Sequence, residues 1–186
     1  MDEVLENLPK GLAGFVKFAL KIQVFLISIF TLIMGVTFFF VVVFRYGFRA
    51  DLFAYEEWLL IICFWLYFLG SAVGTYEKVH INADLLTHII ENPKIAFYRT
   101  LLVHIIELGV TLVLLYWSVM MILDELSFYP NLQATNALRI PFILPRLAMP
   151  VGFAFMAFYT LLHIYVEIKT RHIVDPPISE KPPEIP

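Results

Sequence analysis

Four long stretches of apolar residues divide this chain, and few charged side chains interrupt them. They run from about residues 18 to 44, 53 to 75, 97 to 123 and 141 to 166. A helix needs roughly 20 apolar residues to cross a hydrocarbon core that is about 30 Å thick. Because a segment in lipid must satisfy its own backbone hydrogen bonds, each stretch is predicted to form a transmembrane helix.

Charged residues are scarce, which limits the solvents in which this chain can fold. Apolar residues make up 60% of the 186 residues and charged residues 16%, whereas a soluble domain is about half apolar and a quarter charged. We therefore expect an all-α integral membrane protein with one four-helix domain at about residues 18–167. The single cysteine, Cys63, excludes an intrachain disulfide, and the net charge of −3 indicates no nucleic-acid partner.

The basic residues are unevenly shared between the two sides of the predicted bundle. Nine of the 13 lysines and arginines lie in the N-terminal segment up to Lys21, in the segment between the second and third spans up to Arg99, or after the fourth span. The opposite side carries four: Arg45, Arg49, Arg139 and Arg146. Since the side richer in basic residues is normally cytoplasmic, both termini are predicted to be cytoplasmic.

Three segments outside the spans have their own character. Residues 1–17 alternate acidic and apolar positions and are interpreted as an amphipathic segment at the interface. This acidic start and the long first apolar stretch do not fit a cleaved signal peptide. Apolar residues at near-helical spacing within 76–96 predict a short interfacial helix. Residues 168–186 form a proline-rich cytoplasmic tail that is expected to be extended.

Two acidic residues, Glu56 and Glu57, open the second span, and Arg45 and Arg49 end the first. The loop between them is short, so these charges are expected at the same depth. Acids also suit the amino-terminal end of a helix. Three interpretations stay open: an interfacial ion pair that fixes the hairpin, a docking surface for a partner outside, or an ion-coordinating or catalytic site.

His104 and Glu107 lie three residues apart in the third span and are predicted to share a helix face. Glu107 stands about 15 Å beyond the start of the span at 1.5 Å per residue. A carboxylate near the midplane is costly and usually faces protein or water. It could be a protonated contact within the bundle, a contact with a second membrane subunit, or a proton or metal site. A di-iron bundle needs Glu-x-x-His motifs on two helices, so no metal site is expected.

Histidines inside two spans raise one redox alternative. His104 and His163 both lie toward the cytoplasmic ends of their spans, so they could ligate a haem between them. The sequence otherwise carries no nucleotide-binding loop, nucleophile triad or zinc pattern. We therefore expect no enzyme activity and no cofactor, with a haem-holding membrane anchor as the alternative.

Small residues at four-residue spacing occur in two spans. Such spacing lets helices approach closely in lipid, so these positions are predicted to pack within the bundle or against another subunit. The packing candidates are Gly70, Ser71 and Gly74 in the second span and Ala148 and Gly152 in the fourth.

Several short motifs, taken in order, resemble those of the small membrane subunit of tripartite ATP-independent periplasmic (TRAP) transporters, the DctQ-like family. The resemblance covers about residues 18–167. The motifs are Phe44-Arg45-Tyr46, Glu56-Glu57, Phe64-Trp65, Phe68-Leu69-Gly70-Ser71-Ala72, His80-Ile81-Asn82-Ala83-Asp84, Ile140-Pro141 and Ala148-Met149-Pro150-Val151-Gly152-Phe153.

The resemblance implies a non-catalytic subunit of a sodium-coupled secondary transporter for organic acids in a bacterial inner membrane. Its implied partners are a large DctM-like membrane subunit, bound 1:1 and moving as an elevator, and a periplasmic substrate-binding protein. On this basis the chain acts as a scaffold, and Arg45, Arg49, Glu56 and Glu57 are candidates for docking the binding protein. His104 and Glu107 are then expected to lie within the bundle or against the large subunit.

Overall fold

The computed structural model of the protein describes residue 5 and residues 7–50, 52–78 and 93–174, with side chains in the last range described for 97–170. The helices are α1 (Lys10–Val43), α2 (Tyr55–Glu77), α3 (Pro93–Ser127), α4 (Ile143–Arg146) and α5 (Ala148–Val174). Four helical segments are long and apolar enough to cross a membrane, and they are Lys10–Phe48, Tyr55–Glu77, Phe97–Ser127 and Ile143–Thr170. The prediction of an all-α membrane protein with four spans is confirmed.

Each helix extends beyond its predicted apolar core. The first begins at Lys10, so residues 10–17 are helical and continuous with the rest of α1. Hydropathy marks only the part of a helix that lipid surrounds, whereas the backbone stays helical into the polar interface. The predicted interfacial helix within 76–96 and the proline-rich tail fall largely outside the described residues.

The first two helices are joined by a tight connection with unusual backbone geometry. After Val43 the chain makes a π-helical turn over Phe44–Phe48, and Arg49 ends it in the left-handed conformation with a φ of 51°. Ala54, just before α2, has a φ of 50°. A non-glycine residue costs roughly 1–2 kcal/mol in this conformation, so two strained residues bracket the connection.

The helices pack in a definite order. Among the described residues, α5 makes its most extensive contacts with α2 and α3, and α2 in turn packs against α1. The order across the molecule is therefore α1–α2–α5–α3. Side chains of α1 also reach α5, as the edge-to-face contact of Phe15 with Phe158 shows. The last long helix of the chain is thus central in the fold.

The face of α3 that is buried in the molecule carries polar residues at a regular interval. His104, Thr111, Ser118 and Glu125 are each at most 8% exposed and recur every seven residues. Seven residues are close to two helical turns, so the four side chains form one stripe. The remaining surface of α3 is rich in exposed apolar side chains, such as Ile106, Val110 and Trp117.

The bundle has two ends, which differ in the segments that they hold. The Lys169 Nζ donates a hydrogen bond to the carbonyl oxygen of Asn7 at 2.6 Å, which places both ends of the membrane domain together. We call this the terminal end. The opposite end holds the α1–α2 connection and the loop after α3, and we call it the hairpin end. Four crossings return the chain to its starting side, as the prediction of two cytoplasmic termini requires.

Candidate functional site

The hairpin end carries the charges that the sequence singled out. Arg45 lies in the π-helical turn and Arg49 follows it, and both side chains are exposed. Glu56 is exposed and Glu57 is half-buried in the first turn of α2. The structure therefore brings the four docking candidates to one end of the molecule, beside the loop that follows α3.

Glu57 holds this loop in place. Its two carboxylate oxygens accept hydrogen bonds from the backbone N–H groups of Ala137 and Leu138, each at 2.7 Å. The loop is also closed on itself, because Thr135 accepts a hydrogen bond from the Ile140 N–H through its Oγ1 and donates its own N–H to the Ile140 carbonyl. A cleft of about 250 Å³ separates this loop from α2, and Glu56 lines it. Glu57 thus shapes the surface that Glu56 presents.

A second charged contact at the hairpin end was not predicted. The Arg146 guanidinium donates to the Glu125 Oε2 at 2.7 Å and lies over the ring of Phe142, 5.4 Å from its centroid. The Glu125 side chain is only 3% exposed, and Arg146 is 30% exposed. The seven-residue polar stripe of α3 was the signal in the sequence that could have identified Glu125.

His104 contacts an acid on another helix. The His104 Nδ1 lies 3.1 Å from the Glu167 Oε2 on α5, so the ring N–H donates to this carboxylate. Glu107 is half-buried on the same helix as His104. The ring of His104 also stacks on that of His163, with centroids 5.9 Å apart and planes 10° apart.

The histidine geometry does not support the haem alternative. The His163 Nε2 donates toward the carbonyl oxygens of Thr75 and Tyr76, at 3.2 and 3.0 Å. Two haem ligands must aim a nitrogen at one iron from opposite sides, whereas these rings lie face to face against each other. No group of three or more metal-ligating side chains occurs among the described residues either.

The buried polar contacts continue toward α1 at the terminal end. Tyr76 packs edge-on against Tyr159, which is fully buried. The Tyr159 hydroxyl donates to the Gln23 Oε1 at 2.8 Å. These contacts join all four long helices at the terminal end, because Gln23 lies on α1 and His104 on α3.

The small residues occupy different environments. A Cβ atom built on Gly152 would meet the Cβ and the backbone carbonyl group of Phe68, whereas one built on Gly70 would meet nothing within 4 Å. Ala148 is 1% exposed. Ser71 and Gly74 are half-buried, and the Ser71 carbonyl accepts the hydroxyl hydrogen bond of Thr75. Of Gly70 and Gly152, Gly152 is therefore the one that lies against the facing helix.

Comparison with known families identifies the chain. A family model described as "Tripartite ATP-independent periplasmic transporters, DctQ component" matches residues 33–170, which cover parts of all four spans. No curated protein matches the chain. The match covers well over half of the sequence, so this multi-pass membrane protein belongs to the DctQ family and is a small membrane component of a tripartite ATP-independent periplasmic transporter.

Proposed function

We propose that the chain is the non-catalytic scaffold for the large elevator-type subunit of a sodium-coupled transporter for organic acids. In this proposal it binds the large subunit 1:1 in a bacterial inner membrane and helps to dock the periplasmic binding protein. The hairpin end then faces the periplasm, as the distribution of basic residues predicts.

The packing order α1–α2–α5–α3 is the observation that carries the scaffold role. Extensive contacts along this order arrange the helices as a layer with α1 and α3 at its edges. In the most apolar 18-residue stretch of the first span only 6% of the residues are buried. In the corresponding stretch of α3 17% of the residues are buried. An elevator-type transporter needs a static domain beside the domain that moves. An apolar layer of helices enlarges that static domain within the membrane.

The interior of the bundle supports a role without a solute path. Among the described residues, buried histidines and tyrosines bond to partners on neighbouring helices, as in His104 with Glu167 and Tyr159 with Gln23. These contacts lie at the terminal end. Polar groups that bond to each other rigidify a bundle, which suits a scaffold better than a carrier.

Co-purification tests the scaffold role. The tagged full chain should bring down one large membrane protein in a 1:1 ratio from its native membrane, and uptake should require both chains. Recovery of the chain alone, or uptake by the large subunit without it, would contradict the proposal.

The exposed charges at the hairpin end support docking of the binding protein. Arg45, Arg49 and Glu56 are exposed there, and Glu57 fixes the adjoining loop. Charged rims of an interface mainly affect the association rate and its dependence on salt. Arg45 and Glu56 are therefore expected to change the rate at which the binding protein associates. Glu57 is expected to affect docking through the shape of the loop.

Charge reversal at Glu56 tests this role. Glu56→Lys should raise the concentration of binding protein that gives half-maximal uptake several-fold, while the membrane complex stays assembled. Glu77→Lys is the matched control, because Glu77 is an exposed acid on the same helix at the terminal end. Unchanged uptake by Glu56→Lys at limiting binding protein would remove Glu56 from the docking surface.

A further inference from the structure

A cleft of about 390 Å³ opens at the hairpin end between α3, the loop that follows it and α4. We call it the α3–α4 cleft. It is not the cleft beside Glu56, and the docking proposal does not use it. Its lining consists of Trp117, Met120, Met121, Asp124, Glu125, Phe128, Gln133 and Arg146.

Glu125 places a buried carboxylate with one unsatisfied oxygen beside the cleft. Its Oε2 takes the hydrogen bond from Arg146, but its Oε1 is buried and has no hydrogen-bond partner within the described part of the chain. The side chain is 97% buried on the basis of its 3% exposure. A buried carboxylate oxygen without a donor is strongly unfavourable and leaves the negative charge of Glu125 poorly compensated, so the site favours a ligand that brings a positive group close to it.

The charges of the cleft define the ligand further. Asp124 and Glu125 are acidic and Arg146 is basic, so the charged side chains of the lining sum to −1. A positive group beside the two carboxylates is therefore favoured over a purely anionic ligand. Arg146 keeps 30% of its side chain exposed and can pair with an anion on the same ligand.

The rest of the lining is apolar and continues the lipid-facing surface of α3. Trp117 is 66% exposed and Phe128 is 62% exposed, and methionines lie between them. Aromatic side chains at the end of a transmembrane helix typically lie at the level of the lipid headgroups. The cleft therefore has charged groups of both signs at one end and an apolar surface at the other. A phospholipid has the same arrangement of a charged headgroup and apolar chains.

We propose that the α3–α4 cleft binds the headgroup of an ethanolamine phospholipid. Its ammonium group lies beside the buried Glu125 carboxylate and donates hydrogen bonds to the exposed Asp124 carboxylate, and its phosphate pairs with Arg146. A choline headgroup has no N–H to donate, and a glycerol headgroup brings no positive charge. The acyl chains lie along Trp117 and the methionines of α3.

Lipid selectivity of the purified transporter complex tests this proposal. Native mass spectrometry after addition of 1-palmitoyl-2-oleoyl phosphatidylethanolamine, phosphatidylcholine or phosphatidylglycerol gives the apparent affinity for each lipid. The wild-type complex should retain the ethanolamine lipid about tenfold more tightly than the choline lipid, because the difference is a charge-assisted hydrogen bond.

Two variants assign the preference to this cleft. Glu125→Gln and Asp124→Asn should each reduce it several-fold, and the second variant keeps the test valid if Glu125→Gln does not fold. Glu56→Gln, an acid at the same end but in the other cleft, should leave the preference unchanged. Equal retention of the three lipids, or a preference that survives both cleft variants, would overturn the proposal. So would a carbodiimide cross-link from Asp124 to a lysine of the large subunit, since a basic protein side chain would then fill the cleft.

Discussion

Gly152 of α5 and Phe68 of α2 lie so close that a Cβ atom added to Gly152 would stand 2.6 Å from the Phe68 Cβ and 3.0 Å from its carbonyl oxygen. The backbone of Phe68 cannot rotate away as a side chain can. Gly152→Ala must therefore push α2 and α5 apart, and we expect it to reduce the free energy of unfolding by about 1–3 kcal/mol. Thermal unfolding in detergent, followed by circular dichroism, measures the loss.

Gly70→Ala is the control for this prediction. The added methyl group meets open space, and alanine is favoured over glycine in a helix by roughly 0.5–1 kcal/mol. Its melting temperature should equal or exceed that of the wild type. Similar melting temperatures for the two variants would show that α2 and α5 do not depend on the contact at Gly152.

Removing the Tyr159 hydroxyl should destabilise the terminal end. Tyr159→Phe leaves the buried Oε1 of Gln23 without the donor that now reaches it at 2.8 Å. An unsatisfied buried acceptor costs about 1–3 kcal/mol, so the melting temperature should fall. Tyr165→Phe provides the comparison, because Tyr165 is on the same helix and 47% exposed. The prediction fails if both variants melt alike.

Glu57→Gln should loosen the loop that follows α3. The glutamine side chain can accept one hydrogen bond through its oxygen, but its NH2 group cannot accept the second. One of the amides of Ala137 and Leu138 then loses its partner. Hydrogen exchange should show faster exchange at these two amides, with little change in Glu56→Gln. Unaltered protection from hydrogen exchange in Glu57→Gln would mean that contacts within the loop are sufficient to keep it in place.

Two acids near His104 should respond differently to neutralisation. The Glu167 Oε2 lies 3.1 Å from the His104 Nδ1, and hydrogen bonds to an ionised group are roughly twice as strong as neutral ones. Glu167→Gln should therefore lower stability by about 1 kcal/mol. Glu107→Gln should leave assembly and uptake nearly unchanged, because glutamine keeps the size of this half-buried side chain and can still form hydrogen bonds. A large loss of transport in Glu107→Gln with normal assembly would identify a charged, working acid.

The sequence was sufficient for the spans because hydropathy is a local property. Each span could be recognised from its own residues. Partners were harder to predict because they lie far apart in the chain. Glu57 bonds to residues 80 and 81 positions later, and Glu125 pairs with Arg146 across the loop.

Helix rotation explains the remaining differences. Small-residue spacing marked both Gly70 and Gly152, but only the orientation of α2 and α5 decides which glycine meets a neighbour. Likewise, His104 and Glu107 share a face of α3, yet the acid that reaches His104 comes from α5. These outcomes depend on how separate helices meet, which spacing within one helix does not specify.

The central position of α5 has a consequence for membrane insertion. Within the described part of the chain, the extensive contacts of α3 are with α4 and α5, which are synthesised after it. Until α5 leaves the ribosome, His104 and Glu125 have no partner on it or on α4, and polar side chains facing lipid are costly. A nascent chain that stops within residues 128–142 therefore lacks the helices that cover this polar stripe in the complete fold.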